Sequence, residues 1–420
     1  MGEIMANGQP KVAIIGGGAA GFFCAAILSE TIPAHNIIIF ERAENVLQKV
    51  KISGGGRCNV THACFEPKEL VKNYPRGTKE LLGPFYTFDA SNTTEWFEKQ
   101  GIALKTEPDG RMFPKTDSSQ TIIDCLWKAT VLKGVALKAR CGVNQLKVEN
   151  NKWSISTDKG QFEADAVVIA TGSSPQFWNI LAKATNHSFV APVPSLFTFN
   201  THSNLFNNLS GVAIQNAEIK IDDSKFSATG PVLITHWGLS GPAILKLSAW
   251  GARWLNDKNY QFTLTINWKP GWNKHQAFEW LMEMKKHHPK KKLATLNPEL
   301  PTRFWHSLIL NTLGNEERLL ADVPHLLFEK IAAALTSCSI EISGKSTFKD
   351  EFVTAGGVAL NEIDFKTFQS KLHPGLFFAG EVLNIDAITG GFNFQAAWTS
   401  GFMAAKGIMQ FLQNTEIDDN

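Results

Sequence analysis

Apolar residues near the start of the chain form short continuous runs rather than alternating with polar ones. In "KVAIIGGGAAGFFCAAILSE" one run, Lys11–Ile15, precedes a glycine turn, and an apolar stretch of helical length, Ala19–Glu30, follows it. "NIIIFER", Asn36–Arg42, repeats the first pattern. Such runs fit strands covered on both faces, as in a parallel sheet, so the pattern predicts a βαβ unit. "WSISTDKGQFEADAVVIATG" predicts a hairpin with arms Trp153–Thr157 and Gln161–Ala164, leading into a buried strand, Ala166–Ala170.

The period then changes. From Pro192 to Trp268, alternating stretches such as "AEIKI", "VLIT" and "YQFTLTI" predict short strands, with a helix over Gly241–Asn256. From Asn273 to about Cys338 the spacing is helical and punctuated by Pro289, Pro298, Pro301 and Pro324. After Ser346 the α/β character returns, with "GLFFAGE" as a strand and Phe394–Leu412 as a long helix. The expectation is a discontinuous first domain, residues 1–191 with 346–420. A β-rich insertion, 192–272 with 339–345, interrupts it and itself carries a helical insertion, 273–338.

Composition narrows the picture. At 420 residues the chain exceeds one ordinary core, and its hydrophobic fraction of 44% suits a globular protein. The formal charge of +2 argues for a small-molecule substrate and against nucleic acid or an anionic membrane as partner. "KKHHPKKK" (Lys285–Lys292) reads as a solvated face. No stretch is apolar enough to span a bilayer, and the opening "MGEIMANGQP" has no apolar secretory segment. Six cysteines without a CxxC pair or zinc-type spacing point to a cytoplasmic chain with no metal site. Oligomeric state leaves no trace in the sequence.

The chemistry begins at the first turn. Gly16, Gly18 and Gly21 fit G-x-G-x-x-G, with Gly17, Ala19 and Ala20 completing the loop. The first glycine permits the sharp turn, the second close approach to a pyrophosphate, and the third helix–strand packing. Amides at a helix N-terminus then face the phosphates. Glu41, followed by Arg42, ends the second strand where an adenosine ribose needs an acceptor; its carboxylate would repel the 2′-phosphate of NADP. This motif alone fits FAD or NAD. "VVIATG", with Ala170, Thr171 and Gly172, offers another small-residue turn, and "GGFN", Gly390–Asn393, opens the final helix after Glu381. A second helix N-terminus suits the electron-rich ring of a flavin.

The ordered set GGGAAG, KxxxSGGGRCNVT, THWGLSGPA, TAGGV, FAGE and TGGFN resembles a bacterial family of FAD-containing, NAD(P)-linked oxidoreductases. That family includes aminoacetone oxidase and the bile-acid 3-dehydro-Δ-reductase. The resemblance implies an α/β fold: a glutathione-reductase-type, Rossmann-like FAD domain interrupted by a β-barrel-like domain and a small helical domain. It implies that Gly16, Gly18, Ala20 and Gly21 hold the pyrophosphate and Glu41 the ribose. By the same resemblance Ala170, Thr171 and Gly172 pass the adenosine half, and Gly380 with Glu381 meets the ribityl–pyrophosphate region. Gly391, Phe392 and Asn393 lie beside the isoalloxazine. The family often reads GEVLD where this chain has Asn384.

On this reading "KVKISGGGRCN" also lies against FAD. Gly54, Gly55 and Gly56 bring bare backbone close, Arg57 reaches the diphosphate or the flavin rim, and Ser53 and Asn59 donate to ribityl or ring atoms. Lys49, which opens the motif, is counted among the cofactor-binding residues; it and Lys51 read as solvated rather than catalytic. Cys58 reads as a small buried hydrophobe beside the cofactor. His236 is the candidate for acid–base work, and Ser240 caps the helix near Pro242. No second dinucleotide motif follows a strand, so NAD(P)H would bind transiently at the flavin face. The expected activity is hydride transfer between a small organic substrate and flavin with NAD(P)H as donor. An O₂-using amine oxidase and a non-catalytic FAD-binding module are the alternatives.

Overall fold

The computed structural model describes residues 11–149, 152–346 and 353–418; the opening decapeptide, read above as lacking a secretory segment, lies outside them. The chain divides into two compact units, 1–193 with 353–420, and 194–352. Each has its own apolar core. The first break falls two residues from the expected 191/192, the return falls at 353 rather than 346, and residues 273–338 form no unit of their own.

The first unit is built on a parallel sheet. Strand β1 (Val12–Ile15) sits between Ala166–Ile169 and β2 (Ile37–Phe40), with Leu376–Phe378 beyond the former and Ala136–Lys138 beyond the latter. Short antiparallel strands, Gln369–Ser370 and Ile363–Asp364, extend one edge. Every residue of β1 is buried, which is why its sequence shows no polar alternation. Helix α1 (Ala19–Leu28) follows the glycine turn. The long helix Phe392–Asp418 packs along it, Gly401 allowing close approach to the Ala20 carbonyl. Phe23 seals this contact against Trp398 and Trp96, with ring centroids 5.3 and 4.7 Å away. The predicted hairpin has a third strand, Val143–Glu149, whose mostly exposed residues carry too little apolar signal to be read.

The second unit carries a seven-stranded antiparallel sheet. Its order is Cys338–Ile342, Phe262–Asn267, Ala213–Ile221, Ser227–Ile234, Gly238–Ser240, Thr198–Asn200 and Gly344–Ser346. The two edge strands are consecutive in the chain, separated by Ser343 alone, so the sheet curls toward a barrel. Helices Lys274–His287, Thr302–Leu313 and His325–Thr336 are inserted between Phe262–Asn267 and Cys338–Ile342, which still pair as neighbours. The helix expected over Gly241–Asn256 is two, Pro242–Trp250 and Ala252–Asp257, meeting at Gly251. Among the described residues no helix is long and apolar enough to cross a membrane.

Candidate FAD site

The turn after β1 separates the jobs of its glycines. A Cβ on Gly16 would collide with the Ala170 carbonyl, and one on Gly21 with the Gly16 carbonyl. A Cβ on Gly18 would meet nothing within 4 Å. Packing therefore requires the outer two glycines, while the middle one faces open space. Gly18 is also the N-cap of α1, and no side chain caps that end. The helix's first amides and its positive dipole end are left for an external anion.

Glu41 is fixed by backbone. Its Oε2 accepts from the Gly17 amide at 2.8 Å and its Oε1 from the Ala43 amide at 2.8 Å. Each oxygen keeps a lone pair, the acceptor set that ribose hydroxyls require. Arg42 points away, donating to Gln176 Oε1 at 3.2 Å. Beside the turn the Thr171 hydroxyl is buried without a hydrogen-bond partner among the described residues. A hydroxyl left so is costly unless a ligand satisfies it.

Glu381 gathers three glycine-bearing segments. Its Oε2 accepts from Lys49 Nζ and from Ser173 Oγ, the latter at 3.3 Å. Lys49, half-exposed, is thus the ion-pair partner of a site carboxylate. Gly380 lies against Ala20, where a Cβ would stand 2.9 Å from the Ala20 Cβ, and its amide donates to Ser400 Oγ at 2.8 Å.

The "SGGGRCN" segment ends the helix Gln48–Gly56, whose last part leaves helical geometry. Gly54, Gly55 and Gly56 all have positive φ (57°, 67° and 83°) and are exposed, a left-handed turn that side-chain-bearing residues rarely adopt. This bare ridge is what the glycine run builds. Its flanking side chains have other partners than expected. Ser53 donates its hydroxyl to the Val50 carbonyl at 2.9 Å. Arg57 lies 4.0 Å over the Phe113 ring and donates to Glu107 Oε1 at 2.6 Å, with Asp117 3.6 Å away. These carboxylates hold the guanidinium, so it is not directed at a diphosphate. With its amide oriented to match its neighbours, Asn59 donates to the Thr61 and Met112 carbonyls (2.9 and 3.2 Å) and accepts from the Gly391 amide at 2.9 Å. Cys58 is fully buried, and burial pushes its thiol up to about 12. It is a packed thiol, as expected, and not a nucleophile.

The Asn59–Gly391 bond joins two segments more than 300 residues apart. Thr61 adds a hydrogen bond to Gln395 Oε1 at 2.6 Å and the Trp398 indole one to the Val60 carbonyl at 2.9 Å. Asn393 holds its own loop, accepting from the Ala387 amide at 2.9 Å. His62, absent from the sequence-based candidates, stacks on Phe392 with centroids 4.6 Å apart, and its Nε2 lies 3.1 Å from the Asp109 carbonyl. Burial lowers its pKa, so a neutral imidazole stands beside the Gly390–Phe392 turn. Its position directly after the glycine motif was the available signal. The buried Arg76–Asp386 pair beneath this loop was also missed; nothing local in either segment marks the other.

His236 belongs to the other unit. It is exposed in the turn between Ser227–Ile234 and Gly238–Ser240, where the Thr235 hydroxyl accepts from the Trp237 and Gly238 amides at 3.3 and 3.2 Å. Ser240 makes no capping bond to the helix at Pro242.

A dinucleotide turn, an anchored ribose acceptor and a second glycine turn tied to the Asn59 segment define a flavin-dependent oxidoreductase of the Rossmann type, with FAD as cofactor. A family model described as HI0933-like protein Rossmann domain matches residues 10–407, and the chain belongs to that family. The chain is 27% identical over 416 residues to the ribosomal RNA dihydrouridine synthase of Escherichia coli, covering 94% of this chain and 97% of that protein. It is 26% identical to the enzyme of that name from Haemophilus influenzae (94% and 97% covered). It is 25% identical to the 3-dehydro-bile acid delta(4,6)-reductase of Clostridium scindens (94% and 98% covered). Among solved structures, the 3-ketosteroid-delta4-(5alpha)-dehydrogenase of Rhodococcus jostii shares the fold with a TM-score of 0.50 at 12% identity, covering 96% of this chain and 98% of that one.

Proposed function

We propose that this protein is an FAD-dependent reductase that saturates a carbon–carbon double bond conjugated with a carbonyl, that its substrate is uridine within ribosomal RNA, and that NAD(P)H is the donor. The observation that carries this reading is the pair of near full-length relatives named as ribosomal RNA dihydrouridine synthases. The bile-acid relative supports the reaction class, since its substrate also presents carbon–carbon double bonds conjugated with an oxo group. The reading departs from the expectation of a small-molecule substrate without nucleic acid, which rested on net charge averaged over the whole chain.

When bound, FAD supplies two-electron chemistry that a side chain cannot. The residues of the chain do the rest. The amides at Gly18–Gly21 bind pyrophosphate, Glu41 accepts from ribose hydroxyls, and the Asn59–Gly391 junction fixes the turn beside the ring. The balanced reaction consumes one NAD(P)H and one proton per uracil C5–C6 bond saturated.

The test is anaerobic. NADH and NADPH are added separately to FAD-loaded protein, then unmodified ribosomal RNA. The reading expects bleaching by one nucleotide, recovery of colour with RNA, and dihydrouridine in the RNA digest. Bleaching by an amine but by neither nucleotide would support the oxidase alternative and overturn this reading.

A further inference from the structure

Five lysines and no carboxylate lie within Lys285–Lys292; with a net charge of +2 for the whole chain, the remainder carries −3. The chain's positive charge is therefore local. The segment starts in the last turn of the helix Lys274–His287, where cations suit the dipole, yet most of it lies beyond that helix.

Its backbone is fixed. The Leu293 amide donates to the Arg318 carbonyl, the Leu320 amide to the Lys291 carbonyl and the Ala321 amide to the Pro289 carbonyl, each at 2.9 Å. Leu293 and Leu320 are fully buried beneath these bonds. The segments so paired bring Arg318 to the same ridge. Lys285 is used structurally, donating to the Val323 carbonyl at 2.8 Å, and Lys292 pairs with Glu317. Lys286, Lys290 and Lys291 are exposed, and among the described residues no carboxylate pairs with them. His287 and His288 are exposed between them. A solvated face needs neither a concentration of one sign nor a pinned backbone. Like charges held together cost stability unless a polyanion neutralises them.

We infer that the ridge formed by Lys286, Lys290, Lys291 and Arg318 binds the phosphate backbone of RNA and docks the substrate of the reaction proposed above, on which this inference rests. Contacts of this kind position a nucleic acid without reading its sequence.

The test compares the FAD-loaded wild type with the triple variant Lys286→Gln, Lys290→Gln, Lys291→Gln. None of these side chains makes a described hydrogen bond, so the fold and FAD content are expected to be unchanged. Fluorescence anisotropy with labelled oligouridylate is measured from about 50 to 200 mM potassium chloride. The variant is expected to lose at least about tenfold in affinity at the low-salt end, and its log–log salt slope to fall by about two, from three lost single-strand phosphate contacts. An unchanged affinity and slope would overturn the inference. So would binding of phosphatidylglycerol vesicles in place of RNA. Reduction of free uridine, which has no phosphate for the ridge to hold, separates the two readings. If neither protein reduces it or ribosomal RNA but the salt slope falls, the reaction fails and the ridge stands. If both reduce ribosomal RNA and the slope does not change, the ridge fails alone.

Discussion

The replacement Gly18→Ala isolates the ligand-facing position of the dinucleotide turn. Its Cβ meets no protein atom within 4 Å, and Gly18 has φ −92° and ψ −170°, open to any residue. The protein alone should tolerate the change, with a stability effect of about 1 kcal/mol or less from the exchange of glycine for alanine at an N-cap. The methyl instead occupies the space through which helix amides approach the pyrophosphate. Loss of one charge-assisted hydrogen bond costs about 1.5–3 kcal/mol, a weakening of FAD binding of about 10–150-fold. Gly21→Ala is the contrast. Its Cβ would collide with the Gly16 carbonyl, so destabilisation of about 1–3 kcal/mol should accompany any loss of FAD. The assay pairs urea unfolding of each apoprotein with calorimetric FAD titration. If Gly18→Ala lowers stability by as much as Gly21→Ala and leaves FAD affinity untouched, the reasoning about the turn is wrong.

Four other outcomes follow from particular contacts. Arg57→Ala should cost about 1 kcal/mol and leave FAD affinity within about twofold, because the guanidinium pairs with the partly exposed Glu107 and the exposed Asp117; extensive flavin loss would restore the diphosphate assignment. Arg76→Ala should destabilise by about 3–5 kcal/mol in thermal and urea unfolding by removing the guanidinium paired with the Asp386 carboxylate, which has no exposed surface; a value below about 1 kcal/mol contradicts the pairing. His187 is buried between Thr185 and Ser370, and burial pushes its imidazole down from 6.5 to about 4. The unfolded chain then takes up the proton first, so stability present above about pH 6.5 should fall by up to about 3 kcal/mol as pH drops toward 4, and His187→Gln should flatten that fall. Cys58 in the native protein should resist a thiol reagent that labels it after unfolding; labelling at the unfolded rate would contradict its burial.

The first unit was legible where each residue's duty is local. Gly16, Gly18, Gly21 and Glu41 lie within one βαβ unit, and their spacing matches the tight packing at Gly16 and Gly21, the open space at Gly18 and the bond that ties Glu41 to the turn. The return to α/β character after the insertion was legible for the same reason, since apolar runs mark buried parallel strands. Side-chain partners across long gaps were not. Arg57 finds Glu107, Asp117 and Phe113 on a neighbouring hairpin, and Asn59 finds Gly391, so neither could be assigned from its own motif. Val143–Glu149 was missed because an exposed strand keeps polar residues on both faces. The break at Gly251 was hidden because its apolar spacing continues through the kink. The basic ridge was visible as composition, but its meaning depends on Arg318 and on backbone bonds to a segment some thirty residues later.

The account rests on two remote segments, Gly16–Glu41 and Asn59–Gly391, belonging to the binding site of a single FAD. Calorimetric titration of flavin-free protein with FAD tests this most directly. It should saturate at one FAD per chain, with Asn59→Ala and Gly18→Ala each weakening that same event. Saturation at two, or a chain that takes up no FAD, would contradict it.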